Sequence, residues 1–413
     1  MAPPRTASRP PVMLQPASPA TPAADAGADS AGPALFALGF RPFYLLAALL
    51  ATLAVPAWVL QYLGVIPATG PIAGVPWHMH EMVFGFAVAV ITGFLFTAGR
   101  NWTGQPTPTG IRLALLAGLW LAARVLLVTG PALPAAVVDV AFLPLVAWSL
   151  WKALSSAHNT RNYFFVALLL LLAVLNAVFY LAAFGNVDVS PLWPVKAALY
   201  VVVAIVAVMG GRVIPMFTQN AVREAKVCRS PSIDRWAIGL LAVALGADAL
   251  AAPPMLVGLA AAAAAVLHVV RLARWDPLAT RRAPILWVLH ASYAWIPIGL
   301  ALLAASAFSP RVHEVYVLHA FGIGAVGGMI IGMITRTARG HTGRPLLANR
   351  PEVFAYALVQ VAALVRVVLG LAAPALYGAT LLLAALFWAI AFALYLAVYV
   401  PVLTRPRIDG KPG

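Results

Sequence analysis

A chain of 413 residues that is 63% hydrophobic and only 9% charged is too apolar for a soluble globular protein. Runs longer than the roughly 18 apolar residues that cross a bilayer recur along it, so an all-α polytopic membrane protein is expected. The net charge of +15 would suggest nucleic acid in a soluble chain. Here basic loops on one side of a lipid bilayer account for it, and no nucleic-acid partner is expected.

Residues 1–34 are rich in Ala, Pro and Ser with no apolar core, and read as a disordered cytoplasmic tail rather than a secretory signal. A single transmembrane helical domain is expected over 35–404, followed by a short basic tail at 405–413. The domain divides into about twelve spans. They are expected at 41–62, 79–99, 111–129, 133–152, 163–184, 191–217, 236–252, 254–272, 284–306, 313–335, 352–371 and 374–403. With these boundaries, 22 of the 27 Lys and Arg residues fall in the terminal segments, in loops after even-numbered spans, or within two residues of them. Arg311 alone lies in an opposite loop, and Arg124, Lys196, Arg212 and Arg366 fall inside spans. Such an asymmetry requires an even number of spans and puts both termini in the cytoplasm. The one cysteine, Cys228, leaves no intramolecular disulfide and no thiolate cluster for iron–sulfur or structural zinc.

The second span opens unusually. It reads "WHMHEMVFGFAVAVITGFLFTAGRNWTG" over 77–104, with two histidines and a glutamate at the mouth of an apolar run. The stretch recurs at the tenth span. Ungapped, His80 pairs with His319, Gly85 with Gly324, Gly93 with Gly332, Arg100 with Arg339 and Pro106 with Pro345. A weaker copy, "GGRVIPMFTQN" at 210–220, lies in the sixth span against "GGMIIGMITRT" at 327–337. Three copies four spans apart predict three repeats of four helices, with spans 2, 6 and 10 in equivalent central positions.

Histidines inside a membrane are costly unless something uses them. His78, His80, His313 and His319 lie towards one face of the membrane. His78 and His80 stand about 200° apart on a helix and cannot grip one metal together. If the helix begins only at Met79, His78 sits in flexible backbone and can turn inward; Glu81 and Met82, three and four positions on, make a His-Glu-Met face available there. Metal ligation and a pair of interfacial histidines bonded to backbone are both open readings. Nearer the other face, His290 beside Tyr293 and His341 in a loop suggest a second site or a core hydrogen bond. His158 and His268 read as solvated. Arg212, about a turn inside the membrane beside Pro215, needs an anion such as a haem propionate or a protein carboxylate. Asp139 lies near Arg124 in depth, where the two suit a salt bridge.

The "GIGAVG" at 322–327 matches a dinucleotide fingerprint, but that motif needs a strand before it, so it is rejected. Gly324, Gly328 and Gly332 instead make a smooth groove for a neighbouring helix or a flat macrocycle.

Taken together, "FALGFRPF", the 77–104 stretch, "GGRVIPMFTQN", "WVLHASYAW" and "HAFGIGAVGGMIIGMITRTARGHTGR" closely resemble the NnrS family over about residues 35–400. The resemblance implies a multi-pass protein of the bacterial inner membrane that contains haem, of the b type, and copper. It also implies a role in nitric oxide metabolism and resistance to nitrosative stress, by binding, sensing or redox turnover of nitric oxide or a related small molecule. As an enzyme it would carry out a haem-dependent redox reaction on a nitrogen oxide, and no catalytic residue can be named. The implied cofactor residues are His80, His319, Arg212, His290 and His341, and the implied metal residues His78, His80, Glu81, Met82 and His319. His80 and His319 are expected to face one another across a haem-sized gap. Twelve spans with histidines on spans 2 and 10 also look like the catalytic subunit of haem-copper oxidases. Spans 6 and 7 lack histidine, however, so that enzyme's three-histidine copper site cannot form in its usual place. A secondary transporter and an assembly partner of a respiratory complex are the alternatives.

Overall fold

Lipid offers backbone groups no partners, so each apolar run closes its own hydrogen bonds as a helix. The computed structural model describes residues 33–411, so the expected tail at 1–34 lies outside the described residues apart from its last two positions. Twelve long helices follow in chain order, and no strand occurs among the described residues. They are α1 (Phe40–Tyr62), α2 (Gly74–Thr103), α3 (Gly110–Thr129), α4 (Ala132–Ser156), α5 (Thr160–Ala183) and α6 (Leu192–Ala221). Then come α7 (Pro231–Ala249), α8 (Pro254–Ala273), α9 (Pro284–Ser306), α10 (Glu314–His341), α11 (Arg350–Ala372) and α12 (Pro374–Leu403).

Eleven of these are long and apolar enough to cross a membrane. The other, α7, has 19 residues and carries Asp234, Arg235 and Asp248. Its acids are paired at its two ends: Arg271 of α8 meets Asp234 at 2.6 Å, and Lys196 of α6 meets Asp248 at 3.1 Å. The chain ends supply an independent count. Arg41, at the start of α1, donates to the carbonyls of Leu403 and Arg405 at the end of α12, at 2.9 and 2.8 Å. The first and last helices therefore share one end of the bundle, called here the terminal end, and α7 must cross to keep the number even.

From α3 to α12 each helix packs on the next, α12 packs on α1, and α1 reaches α3 to close a ring. Across it α2, α6 and α10, the three copies of the repeat, touch one another. α2 and α10 are the most buried spans, with α9 and α6 next. The glycine groove of α10 receives α9 and not a macrocycle. A Cβ on Gly324 would strike the Trp295 ring, one on Gly328 would strike the Ser292 hydroxyl, and one on Gly332 would lie 2.8 Å from Leu289.

Local signals set the helix ends. Pro occupies the first turn of α7, α8 and α9, where its missing N–H costs nothing. Asn349 and Glu352 form a reciprocal capping box on α11, and Gly104 ends α2 with φ of 66°, a left-handed geometry that favours glycine. Three stretches depart from α geometry into wider π turns: Glu81–Ala87 in α2, Ala320–Gly327 in α10 and Leu364–Leu369 in α11. The first two begin at matched positions of the repeat, and "GIGAVG" lies within the second.

The short basic tail folds back at the terminal end. Arg407 donates to the His341 carbonyl at 3.0 Å and grips Asp409 with two bonds, and the Ile408 N–H reaches the Thr342 carbonyl at 3.3 Å.

Candidate functional site

The end of the bundle opposite the termini holds two adjoining polar clusters. Because α2 begins at Gly74 and not at Met79, His78 is helical, which corrects the expectation of flexible backbone there. His78 and His80 therefore point in different directions.

His80 points into the α3–α5 side and is 1% exposed. Its Nδ1 lies 3.1 Å from Glu81 Oε1, and its Nε2 lies 2.9 Å from Asn176 Oδ1 and 3.2 Å from Asp139 Oδ2. Arg124 donates to Glu81 at 2.9 Å and also to Asp139. Asp139 Oδ2 further accepts from Asn176 Nδ2 at 2.8 Å and from the Tyr180 hydroxyl at 3.0 Å. Phe179 stacks on the His80 ring at 4.5 Å. Both His80 nitrogens thus face side-chain oxygens. The expected Arg124–Asp139 pair is present, as part of a larger network in which Arg124 Nε is the one buried polar atom without a partner. Neither ring nitrogen of His80 is free for a metal.

His78 turns the other way. Its ring stacks on Trp58 at 4.0 Å, and its nearest imidazole is His319, with ring centres 6.5 Å apart and planes 18° apart. The residue that meets His319 is therefore His78 and not His80. His319 Nδ1 donates to the Val315 carbonyl at 2.7 Å, which leaves its Nε2 unprotonated, the arrangement in which histidines hold metals. The buried Nδ1 of His78 has no hydrogen-bond partner, and neither has the Nε1 of Trp58. Beside the pair lies Arg366, 1% exposed, whose field reaches both imidazoles. The sequence placed Arg366 inside a span without assigning it a role. Its cue was available: a charged residue at depth with no acidic residue nearby in the chain.

The copper face expected of His78, Glu81 and Met82 is not assembled. Glu81 is committed to Arg124 and His80, on the side away from the His78 ring. Among the described residues no three His, Cys, Asp or Glu side chains gather as a metal would require.

The second candidate site, towards the terminal end, is dispersed. Thr218 Oγ1 donates to the Ile214 carbonyl and so accepts from His290 Nε2, at 2.9 Å, leaving His290 Nδ1 buried without a partner. Arg212 donates to Asn162 at 3.0 Å and lies over the Phe164 and Phe165 rings. His341, expected in a loop, is the last residue of α10 and packs by the Phe40 ring at 5.6 Å. No hydrogen bond or ring contact joins these three. Tyr293 instead serves His268, which was expected at the surface and is fully buried, at 2.7 Å.

A bundle of twelve helices with an imidazole pair held inside its distal end defines the class, a polytopic helical membrane protein with intramembrane histidines. The family can be given more narrowly: the model of the NnrS protein family matches residues 34–407, and the chain belongs to that family. Among curated proteins none matches it.

Proposed function

We propose that this chain is a haem-binding protein of the bacterial inner membrane, acting in nitric oxide metabolism and resistance to nitrosative stress, with His78 and His319 as its haem ligands. The family membership supports the role, and the facing imidazole pair carries the ligand assignment. His78 and His319 would hold the iron through their imidazole nitrogens: His319 Nε2 is left free by the Nδ1 bond to Val315, and His78 Nδ1 is buried without a partner. The pair stands at 6.5 Å, with planes nearly parallel.

The bound haem would supply a redox-active iron with affinity for nitric oxide. The protein's part is to fix that chemistry in place. The Val315 carbonyl sets the His319 tautomer, Trp58 holds the His78 ring by its face, and apolar side chains keep bulk water away. Copper is also implied by the family resemblance, but no gathered ligand set supports a site for it.

The distribution of basic residues supports a cytoplasmic terminal end, which would put the histidine pair towards the periplasmic face. Reporter fusions at Cys228 and Phe308 test this, with activity of a periplasmic reporter at Cys228 as the contrary result. The ligand assignment is tested by the visible spectrum and iron content of protein purified from haem-replete cells. Wild type is expected to be coloured, and His78→Ala and His319→Ala to be inserted but pale. A colourless, iron-free wild type overturns the haem reading, and full colour in both variants overturns the ligand pair.

A further inference from the structure

The buried arginines of this protein differ in how far they are compensated: Arg124 Nε also lacks a partner, but among the described residues Arg366 is the one with neither a carboxylate nor a backbone carbonyl. Arg124 holds two carboxylates, Arg271 holds Asp234, the Tyr293 hydroxyl and the Ala207 carbonyl, and Arg41 donates to two backbone carbonyls. Arg366 makes one hydrogen bond, from Nη2 to the Tyr377 hydroxyl at 2.9 Å. Its Nε and Nη1 are buried without a partner, and among the described residues no carboxylate pairs with it. An uncompensated guanidinium in a low-dielectric interior is strongly unfavourable. A nearby anion that is not part of the protein would remove that cost.

The surroundings narrow the class of anion. Trp58 Nε1, on the same side of the bundle, is a second buried donor without an acceptor. Arginine and tryptophan side chains donate only, so an anion with at least two oxygen acceptors and no proton of its own answers them. A surface cleft lies close by. A cleft of about 660 Å³ at the distal end is lined by Tyr316, Leu371 and Pro374 among others. Gly370 stands between Tyr316 and the guanidinium: a Cβ there would lie 3.0 Å from Tyr316 Cε1 and 3.9 Å from Arg366 Nη1. The π turn at Leu364–Leu369 carries Arg366, and such turns recur at functional sites.

From this arrangement we infer that Arg366, with Trp58, binds a carboxylate-type oxyanion beside the His78–His319 pair. Two sources share that chemistry: a free planar anion such as nitrite, and a carboxylate of the bound macrocycle. The second rests on the haem reading above, and the first does not.

The experiment uses full-length protein in detergent, from haem-depleted and from haem-replete cells, with sodium nitrite as the probe and sodium chloride as the ionic control. In the first arm, nitrite raises the unfolding temperature of haem-depleted wild type saturably, and Arg366→Gln weakens that binding at least about tenfold, as expected for a lost charge-assisted hydrogen bond. In the second arm, nitrite has no specific effect, but haem-replete Arg366→Gln retains less haem than wild type or shows a shifted midpoint potential. Either result supports the inference and identifies the source. Identical nitrite response, haem content and potential in wild type and Arg366→Gln overturn it, and so does a wild type with neither haem nor a nitrite response. A coloured wild type with an unaffected Arg366→Gln overturns only this inference and leaves the haem reading standing. Should Arg366→Gln fail to fold, Arg366→Lys and Trp58→Phe are measured in its place. Unchanged values in both then count against the inference.

Discussion

His80 and His78 are two residues apart and sit in opposite kinds of environment. His80 belongs to a closed polar network in which Glu81, Arg124, Asp139, Asn176 and Tyr180 leave few hydrogen bonds unmade. His78 belongs to an open cluster, in which its own Nδ1, Trp58 Nε1 and two nitrogens of Arg366 are buried without partners. Buried polar groups normally find partners. The first cluster, with Arg124 Nε alone left over, therefore reads as structure, tying α2 to α3, α4 and α5, and the open one, with four such atoms, as a place where the missing partner is a ligand. Two histidines of equal promise in the sequence are separated by that single test.

The comparison breaks most sharply at Asp139. Its replacement by Ala leaves a buried guanidinium with one carboxylate fewer, at a cost of about 3–5 kcal/mol. Thermal unfolding in detergent should show a large drop in midpoint, with the surviving folded fraction still coloured. Next in size is an exchange of roles. His80→Ala should cost about 1–3 kcal/mol through unsatisfied partners while keeping the haem spectrum, whereas His78→Ala should lose the spectrum at smaller cost in apo-protein stability. Reversed results, with colour lost at His80 and kept at His78, would sink the distinction between the clusters.

A packing change in the wide turn after His319 sharpens the reading. Gly324→Ala drives a methyl into the Trp295 ring and should cost about 1–3 kcal/mol by overpacking, read again from the unfolding midpoint. An unchanged midpoint would mean that α9 does not fill this groove. The smallest effect belongs to the C-terminal fold-back. Hydrogen bonds from Arg407 hold the Asp409 carboxyl well below the usual carboxylate range, so this contact contributes above the ordinary value of about 3.9. It is lost as pH falls through the depressed folded value. Amide exchange at Ile408 should be faster in Arg407→Ala at neutral pH, and equal rates would show that the ion pair does not hold the segment.

Much of the fold was legible because long apolar runs in lipid have few alternatives to helix. The repeat was legible too, since glycines at the close contacts of α2 and α10 mark where other elements approach. The tail of α10 was less so. The apolar signal fades near Thr335, while the helix runs to His341 on hydrogen bonds and capping that hydropathy does not register. The site was half legible. The stretch around His78 and His80 stood out, but the choice between them depends on a helix that starts at Gly74 and widens after His80. The start does carry a cue, Pro76 in the first turn, but the widening after His80 has no sequence signal as plain. His268 shows the reverse error, because a histidine beside basic residues looks solvated until Tyr293 and the Ala237 carbonyl are found around it.

The wide turns at Glu81–Ala87 and Ala320–Gly327 start at the same place in two copies of the repeat. A turn of this kind behaves as a one-residue insertion in an α-helix, and two independent insertions at the same register would be a coincidence. The shared register ties the widened turn to the position after the histidine in both copies. The copy in α6 has neither: it is an unbroken α-helix over Leu192–Ala221 with no histidine in it, so residues beyond that point of α2 and α10 are rotated by about 100° relative to their counterparts in α6.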